Sequence, residues 1–227
     1  MSVWVVLPVK PLNRAKSRLA DVLSADQRQR FAEMTLRHIL ETTRSARQVT
    51  GTLVISRDNK VLSIARDFGA RTVQESGQPA LNPALMRATQ LLASWNAGSI
   101  LVLPADVPLI GIDDVTDMIR LAGTHEQCVV IATDRLHDGT NALLVRPPGL
   151  LEYDYGPGSY QRHLDQAHVL GVHVAEYHSH NLQYDLDIPE DIDAFYQAVF
   201  GRTVPDGVSL AEAFDELQSA FERRMMG

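Results

Sequence analysis

Three aspartates and a short run of cations are the residues of this chain best placed to do chemistry. Asp106 closes the apolar run ILVLPAD, and Asp185 and Asp187 stand two apart in YDLDIPEDI. On an extended segment, residues i and i+2 point to the same side, so the second pair presents two carboxylates together. Like charges so placed repel unless a cation sits beside them. The three acids together would supply the oxygen ligands Mg²⁺ prefers, leaving positions for water and substrate phosphates. The alternative is that these acids cap helices or form turns. That accounts well for Glu190 and Asp191, which follow Pro189 at an expected helix start, and poorly for the alternation at Asp185 and Asp187.

The cations are Lys10, Arg14, Lys16 and Arg18, in VVLPVKPLNRAKSRLADVL. An apolar strand that breaks at Pro8 and runs through a basic loop toward a helix is where an α/β protein can hold a phosphate. The loop has no glycine, so the site would be built from ammonium and guanidinium groups rather than from a backbone cradle. A helix beginning near Asn13 would put Arg14 and Arg18 on one face and Lys16 on another.

Two further segments carry candidate ligand-binding groups. In YDYGPGSYQRHL, Gly156, Gly158 and Ser159 precede a helical stretch, which makes either an anion site or an ordinary loop with Ser159 as N-cap. In HDGTNALL, Thr140 either bonds a ligand or closes the Asp138-Gly139 turn. The eight histidines show no zinc spacing and are expected on the surface or in packing roles. Neither a Walker loop nor a G-x-S-x-G elbow occurs.

The elements that must hold these residues read as alternating strands and helices. Strands are expected at about 3–8, 51–56, 70–74, 99–104, 128–133, 141–146 and 169–177. GTLVIS, SILVLP and CVVIAT are continuous apolar runs, as strands buried on both faces should be. Helices are expected over Ser24–Arg44, Asn59–Phe68, Pro83–Trp95 and Asp113–Ala122. This alternation predicts an α/β fold, a three-layer sandwich with a mostly parallel sheet. Asp106 then falls at the carboxyl end of a central strand, where open α/β sheets bind ligands. CVVIATDRLHDGTNALLVRPP reads as two strands joined by a hairpin-like insertion. After Pro205, Leu210, Phe214, Leu217 and Phe221 form a helical stripe, expected to pack on the domain or on a second subunit.

Composition narrows the function classes. The chain has 227 residues, 45% hydrophobic and 22% charged, which suits one sizeable core. A net charge of −7 argues against bulk nucleic-acid binding, so the clustered cations point to a small anionic ligand. Neither a signal peptide nor a membrane span is expected. The single cysteine, Cys128, cannot form an internal disulfide, and a cytoplasmic setting is expected.

With these residues in view, the sequence resembles the 2-phospho-L-lactate and phosphoenolpyruvate guanylyltransferases of coenzyme F(420) biosynthesis. The matching blocks are PVKPLNRAKSRLA, LPADVPL, DGTNALL, YGPGSYQRHL and DLDIPED, in order from residue 8 to 191. The resemblance implies a Rossmann-like, GT-A-like nucleotidyltransferase fold, similar to that of the molybdenum-cofactor guanylyltransferases. It would span residues 1–202, with 203–227 as a C-terminal helical tail. It implies that Asp106, Asp185 and Asp187 hold Mg²⁺, and that Thr140, Gly156 and Ser159 hold a phosphorylated three-carbon acid. Lys10, Lys16, Arg18 and Asn82 would face the nucleotide, with Asp106, Lys16 and Lys10 closest to the chemistry. Tyr155 and Tyr160 stand where phenylalanine is common in the family, and Ile188 where threonine is common. The implied reaction moves GMP from GTP to the acid and releases pyrophosphate, in a cytoplasmic protein considered also as a homodimer. The other readings are nucleotidyl transfer to 3-phosphoglycerate, a sugar phosphate or a molybdopterin, and a non-catalytic nucleotide-binding module.

Overall fold

In the computed structural model, which describes residues 2–76 and 80–226, seven strands form one sheet in the order β3-β2-β1-β4-β6-β5-β7. The strands are β1 (Val3–Val9), β2 (Val49–Ser56), β3 (Arg71–Gln74), β4 (Ser99–Val102), β5 (Cys128–Thr133), β6 (Thr140–Arg146) and β7 (His173–Glu176). Only β6 runs against its neighbours; the pairs β1/β2, β1/β4, β2/β3 and β5/β7 are all parallel. The helices are α1 (Ala25–Ser45), α2 (Asn59–Asp67), α3 (Leu81–Ser94), α4 (Ile112–Leu121), α5 (Ser159–Val169), α6 (Pro189–Phe200) and α7 (Leu210–Met226).

Alternation along the central strands divides the core into two layers. Val5 and Leu7 of β1 pack with Leu36, Ile39 and Leu40 of α1, Ile64 of α2 and Met118 of α4. Val6 faces the other way, with Leu85 and Leu92 of α3 and Leu164 of α5. Successive side chains of a strand leave opposite faces, so helices must cover both, and the three-layer sandwich follows. The expected α/β sandwich with a mostly parallel sheet is what the chain forms.

A third cluster lies where α7 meets α1 and α6. Phe214, Leu217 and Phe221 bury against Phe31 and Phe195, with ring centroids of Phe31 and Phe214 5.1 Å apart. The tail is thus packed on the domain. No helix of the described residues is long and apolar enough to cross a membrane.

Several boundaries differ from expectation for identifiable reasons. β1 does not break at Pro8 but runs to Val9, and Pro8 stays in register with Ile55 of β2. Leu103 N–H donates to Val6 O, so Pro8, two residues on, turns its nitrogen to the same side. There β4 has already ended at Val102, so the missing N–H costs no ladder bond. β7 starts at His173 rather than near 169, because α5 persists through Val169 before Gly171 turns the chain at φ +66°. Residues 12–19 form two 3-10 turns, Leu12–Arg14 and Ser17–Leu19, and not one helix. Between them Lys16 is left-handed, at φ 52° and ψ 38°.

Candidate active site

The basic loop is pinned from below before its cations reach anywhere. Leu12 N–H donates to Asp58 Oδ2 at 2.9 Å, and Arg28 donates to Ala15 O at 3.5 Å. Asp58 at the same time caps α2 through the Lys60 N–H, at 2.8 Å. The left-handed turn at Lys16 then sends its side chain inward. Lys16 Nζ lies 3.1 Å from Asp187 Oδ1 and 3.6 Å from Asp106 Oδ2, with the lysine side chain only 6% exposed.

The two aspartates are positioned by separate devices. Asp106 follows the end of β4 after Leu103-Pro104-Ala105, as expected of a residue at the carboxyl end of a central strand. Asp185 and Asp187 lie on an irregular segment before α6. Asn141 of β6 donates to Leu182 O at 2.8 Å, fixing the entry of that segment. Asp191 Oδ2 accepts the N–H groups of Asp187 and Ile188, both at 2.9 Å, fixing its exit. The capping role expected of Asp191 is thus what holds Asp187 in place.

The electrostatics of this cluster are mutual. Burial works against a charged Lys16, but Asp106 and Asp187, with Asp185 beyond, outweigh it and raise the ammonium above its ordinary pKa. Burial would likewise raise Asp187, yet Lys16, Lys10 and Arg18 hold it below the usual carboxylate range. Asp185 moves the other way. Burial, and then the negative charges of Asp106 and Asp187, push it up to about 7.

A cavity of about 320 Å³ opens beside these groups, lined at one end by Lys10, Lys16, Asp106 and Asp187. Its walls are largely apolar, with Pro8, Ile55, Leu85 and Val102 among them, and Arg57 and Glu75, which follow β2 and β3, also line it. An apolar slot with a few convergent charges is the usual form of a small-molecule site. Arg18 is not part of that lining; it is 70% exposed and 4.0 Å from Asp187.

The structure also brings together Thr140 and Ser159, with hydroxyls 3.1 Å apart. Thr140 does not close the hairpin turn. Thr133 Oγ1 does so by donating to Gly139 O, while Asp134 accepts the N–H groups of Leu136, Asp138 and Gly139. Nor is Ser159 an N-cap: it is the first residue of α5, and Gly158 occupies the cap position at φ 73°. Gly156 lies at φ 138° in the same loop. Arg162 staples that loop by donating to Asp154 Oδ2, Asp154 O and Pro157 O.

His163 completes this network and was not among the residues expected to matter. It is fully buried, its Nδ1 is 3.0 Å from Thr140 Oγ1, and its Nε2 accepts the Asp154 N–H. An accepting Nε2 leaves the proton on Nδ1, so Nδ1–H donates to Thr140. Burial pushes the imidazole down to about 4, in spite of nearby Asp154. The signal available in the sequence was its spacing, since Ser159 and His163 are i and i+4 on one helix face.

Asn82 is placed differently from Lys10 and Lys16. Its amide accepts the Tyr155 N–H at 2.9 Å and donates to Tyr155 O at 3.3 Å, joining α3 to the glycine loop. Tyr155 lines the cavity with a buried hydroxyl that has no hydrogen-bond partner, whereas Tyr160 donates to Glu176.

Among the described residues, no group of three or more His, Cys, Asp or Glu side chains is gathered to hold a metal ion. Lys16 stands between Asp106 and Asp187. The donor set nevertheless fits Mg²⁺, which takes one or two carboxylates plus substrate phosphates rather than an all-protein cage. The raised Asp185 marks an excess of negative charge that a divalent cation would relieve.

Comparison with known proteins agrees with this fold and names a family. The family described as "Guanylyl transferase CofC like" matches residues 3–198. A phosphoenolpyruvate guanylyltransferase of Rubrobacter xylanophilus is 42% identical over 192 residues, covering 85% of this chain and 92% of that one. A 2-phospho-L-lactate guanylyltransferase of Methanocaldococcus vulcanius is 31% identical over 193 residues, covering 85% and 83%. Among solved structures, a protein described as a nucleotide-diphospho-sugar transferase from Desulfovibrio desulfuricans superposes with a TM-score of 0.67 at 14% identity, covering 98% of each chain. A cytidylyltransferase from Leptospira borgpetersenii gives 0.56 at 14% identity, covering 100% of this chain and 96% of that one, and shares the fold. With a family match across all seven strands and relatives this similar over most of their length, the chain belongs to the CofC-like guanylyl transferase family.

Proposed function

We propose that this protein transfers GMP from GTP to a small phosphorylated three-carbon acid, phosphoenolpyruvate or 2-phospho-L-lactate, in coenzyme F(420) biosynthesis. The observation that carries the reading is the buried Lys16 ammonium between Asp106 and Asp187 in the lining of a largely apolar cavity of about 320 Å³. The family match and the names of the relatives support the same donor and acceptor class.

In the proposed reaction a phosphate oxygen of the acid attacks the α-phosphorus of GTP. The bond from that phosphorus to the bridging oxygen of the β-phosphate breaks, and pyrophosphate leaves. A phosphate monoester is largely ionised near neutral pH, so the attacking oxygen needs no general base. Both reactants are anionic, and the protein's task is to neutralise charge and align attack with departure. Lys16 and Lys10 would steady the triphosphate, and Arg18 the departing pyrophosphate. Thr140, Gly156 and Ser159 would hold the acid, with His163 setting the direction of the hydroxyl hydrogen bonds. Asp106, with Asp185 and Asp187, would hold Mg²⁺, which when bound neutralises phosphate charge and polarises the reacting phosphoryl group.

Pyrophosphate release with GTP and Mg²⁺ should be measured across a panel of acceptors. Release that depends on phosphoenolpyruvate or 2-phospho-L-lactate supports the reading. Release only with 3-phosphoglycerate, a sugar phosphate or a molybdopterin would move the acceptor to that class. GTP binding with no turnover on any acceptor would make this a binding module.

A further inference from the structure

Glu75 is a charged group at the active-site cavity to which the proposed chemistry gives no task. It follows β3, and its N–H donates to Ser56 O at 3.0 Å, which fixes it beside the end of β2. Its side chain is 16% exposed and lines the cavity, after a strand two places from the β1 that leads into the Lys16 loop. Two guanidinium groups stand near it, beyond hydrogen-bond reach: Arg57 Nε is 3.8 Å from Oε2 and Arg87 is 3.6 Å from Oε1. Oε1 is buried and accepts no hydrogen bond. A buried carboxylate oxygen left without a donor is destabilising, and a turn of the side chain into the cavity it lines would let a ligand supply one.

The geometry points to Glu75 as the residue that reads the guanine base. Adjacent strands are about 4.8 Å apart, so the end of β3 stands roughly 10 Å from the end of β1, where the basic loop begins. The base would lie between Glu75 and the apolar wall of Ile55, Ala84 and Leu85, with the triphosphate reaching Lys10 and Lys16. Guanine presents N1–H and the 2-amino group side by side, two donors that match the two acceptor oxygens of a carboxylate. Adenine offers a lone pair at N1 and no 2-amino group, so the same carboxylate repels it. Hypoxanthine keeps N1–H and loses the second donor. Xanthine keeps N1–H and puts a carbonyl oxygen where the amino group was, which suits an amide better than a carboxylate. This inference rests on GTP being the donor.

The test is the ratio of kcat/KM values for GTP, ITP, XTP and ATP in the full-length protein and in Glu75→Gln, with the same acid and Mg²⁺. Ratios within one preparation are independent of the folded fraction, so partial misfolding of the variant does not blur them. Calorimetric binding of the same nucleotides without the acid gives a second readout. The native protein should prefer GTP to ITP by about 10- to 100-fold, the discrimination a paired hydrogen bond supplies. Glu75→Gln should bring GTP and ITP within about threefold of each other and bind XTP better than GTP. Glu75→Gln with the native GTP-to-ITP ratio would overturn the assignment and make Glu75 a purely structural partner of its arginines. A native protein that neither binds nor turns over GTP would instead remove the donor reading, and this inference with it.

Discussion

Lys16 Nζ donates to Asp187 Oδ1 at 3.1 Å, although the two residues are 171 positions apart in the chain. The contact joins the loop after the first strand to the segment before α6, and Asp106 completes it from the end of β4. Three separate parts of the sequence meet at the carboxyl ends of the parallel strands, as α/β sheets arrange their sites.

Lys16→Gln keeps a polar side chain, one atom shorter, and removes its charge. Loss of one fixed group that stabilises the transition state costs about 10²- to 10³-fold in kcat. We expect a fall of that order in steady-state pyrophosphate release, with circular dichroism unchanged. Arg18→Gln, at an exposed position, should lower activity far less.

Asp106→Asn should abolish pyrophosphate release with little loss of folding, because the carboxylate is partly exposed and its removal leaves Lys16 paired to Asp187. The pair of measurements is activity against Mg²⁺ concentration and a thermal melt. Full activity in this variant would refute the role given to Asp106.

Gly158→Ala places a side chain on a residue at φ +73°, with its Cβ 3.1 Å from an Arg162 nitrogen. A left-handed conformation costs a non-glycine residue about 1–2 kcal/mol. The guanidinium cannot easily yield, since it holds the loop by three hydrogen bonds. Urea unfolding should show a loss of that size, and the KM for the acid should rise more than the KM for GTP.

His163 makes stability fall in mild acid. Its folded pKa of about 4 lies below the unfolded value near 6.5, so between those limits the unfolded chain binds the extra proton. The contribution is intact above about pH 6.5 and declines by up to about 1.4 kcal/mol per pH unit as pH falls toward 4. Denaturant unfolding at pH 6.5 and pH 5 should therefore differ by about 1.6 kcal/mol more in the native protein than in His163→Gln.

Phe214 tests whether the last helix belongs to the fold. It is 1% exposed against Phe31 and its neighbours. Phe214→Ala should cost about 3–5 kcal/mol, the usual loss for a fully buried phenylalanine. Unaltered stability would mean that α7 leaves the domain in solution.

Much of the scaffold was legible because buried strands are continuous apolar runs and capped helices carry their own signals. Ser24 caps α1, with Gln27 completing the capping box. The place of Asp106 at the end of a central strand was legible because apolar runs and their ends are local features. What was not legible is long-range or conformational. A lysine in the left-handed region leaves no mark in composition, yet the turn at Lys16 directs its ammonium inward. The anchor from Leu12 to Asp58 crosses 46 positions. Asn82 has its amide engaged by the Tyr155 backbone, and His163 is buried under Thr140, both set by packing between elements far apart in sequence. Pro8 was misread because a proline ends a strand only where its missing N–H would have met a neighbour.

The most direct measurement is the mass of the product formed from GTP, phosphoenolpyruvate or 2-phospho-L-lactate, and Mg²⁺. The account predicts one new species equal in mass to GTP plus the acid less pyrophosphate, with the two parts joined through a diphosphate. GTP consumed to GMP or GDP with the acid unchanged, or no consumption at all, would contradict it.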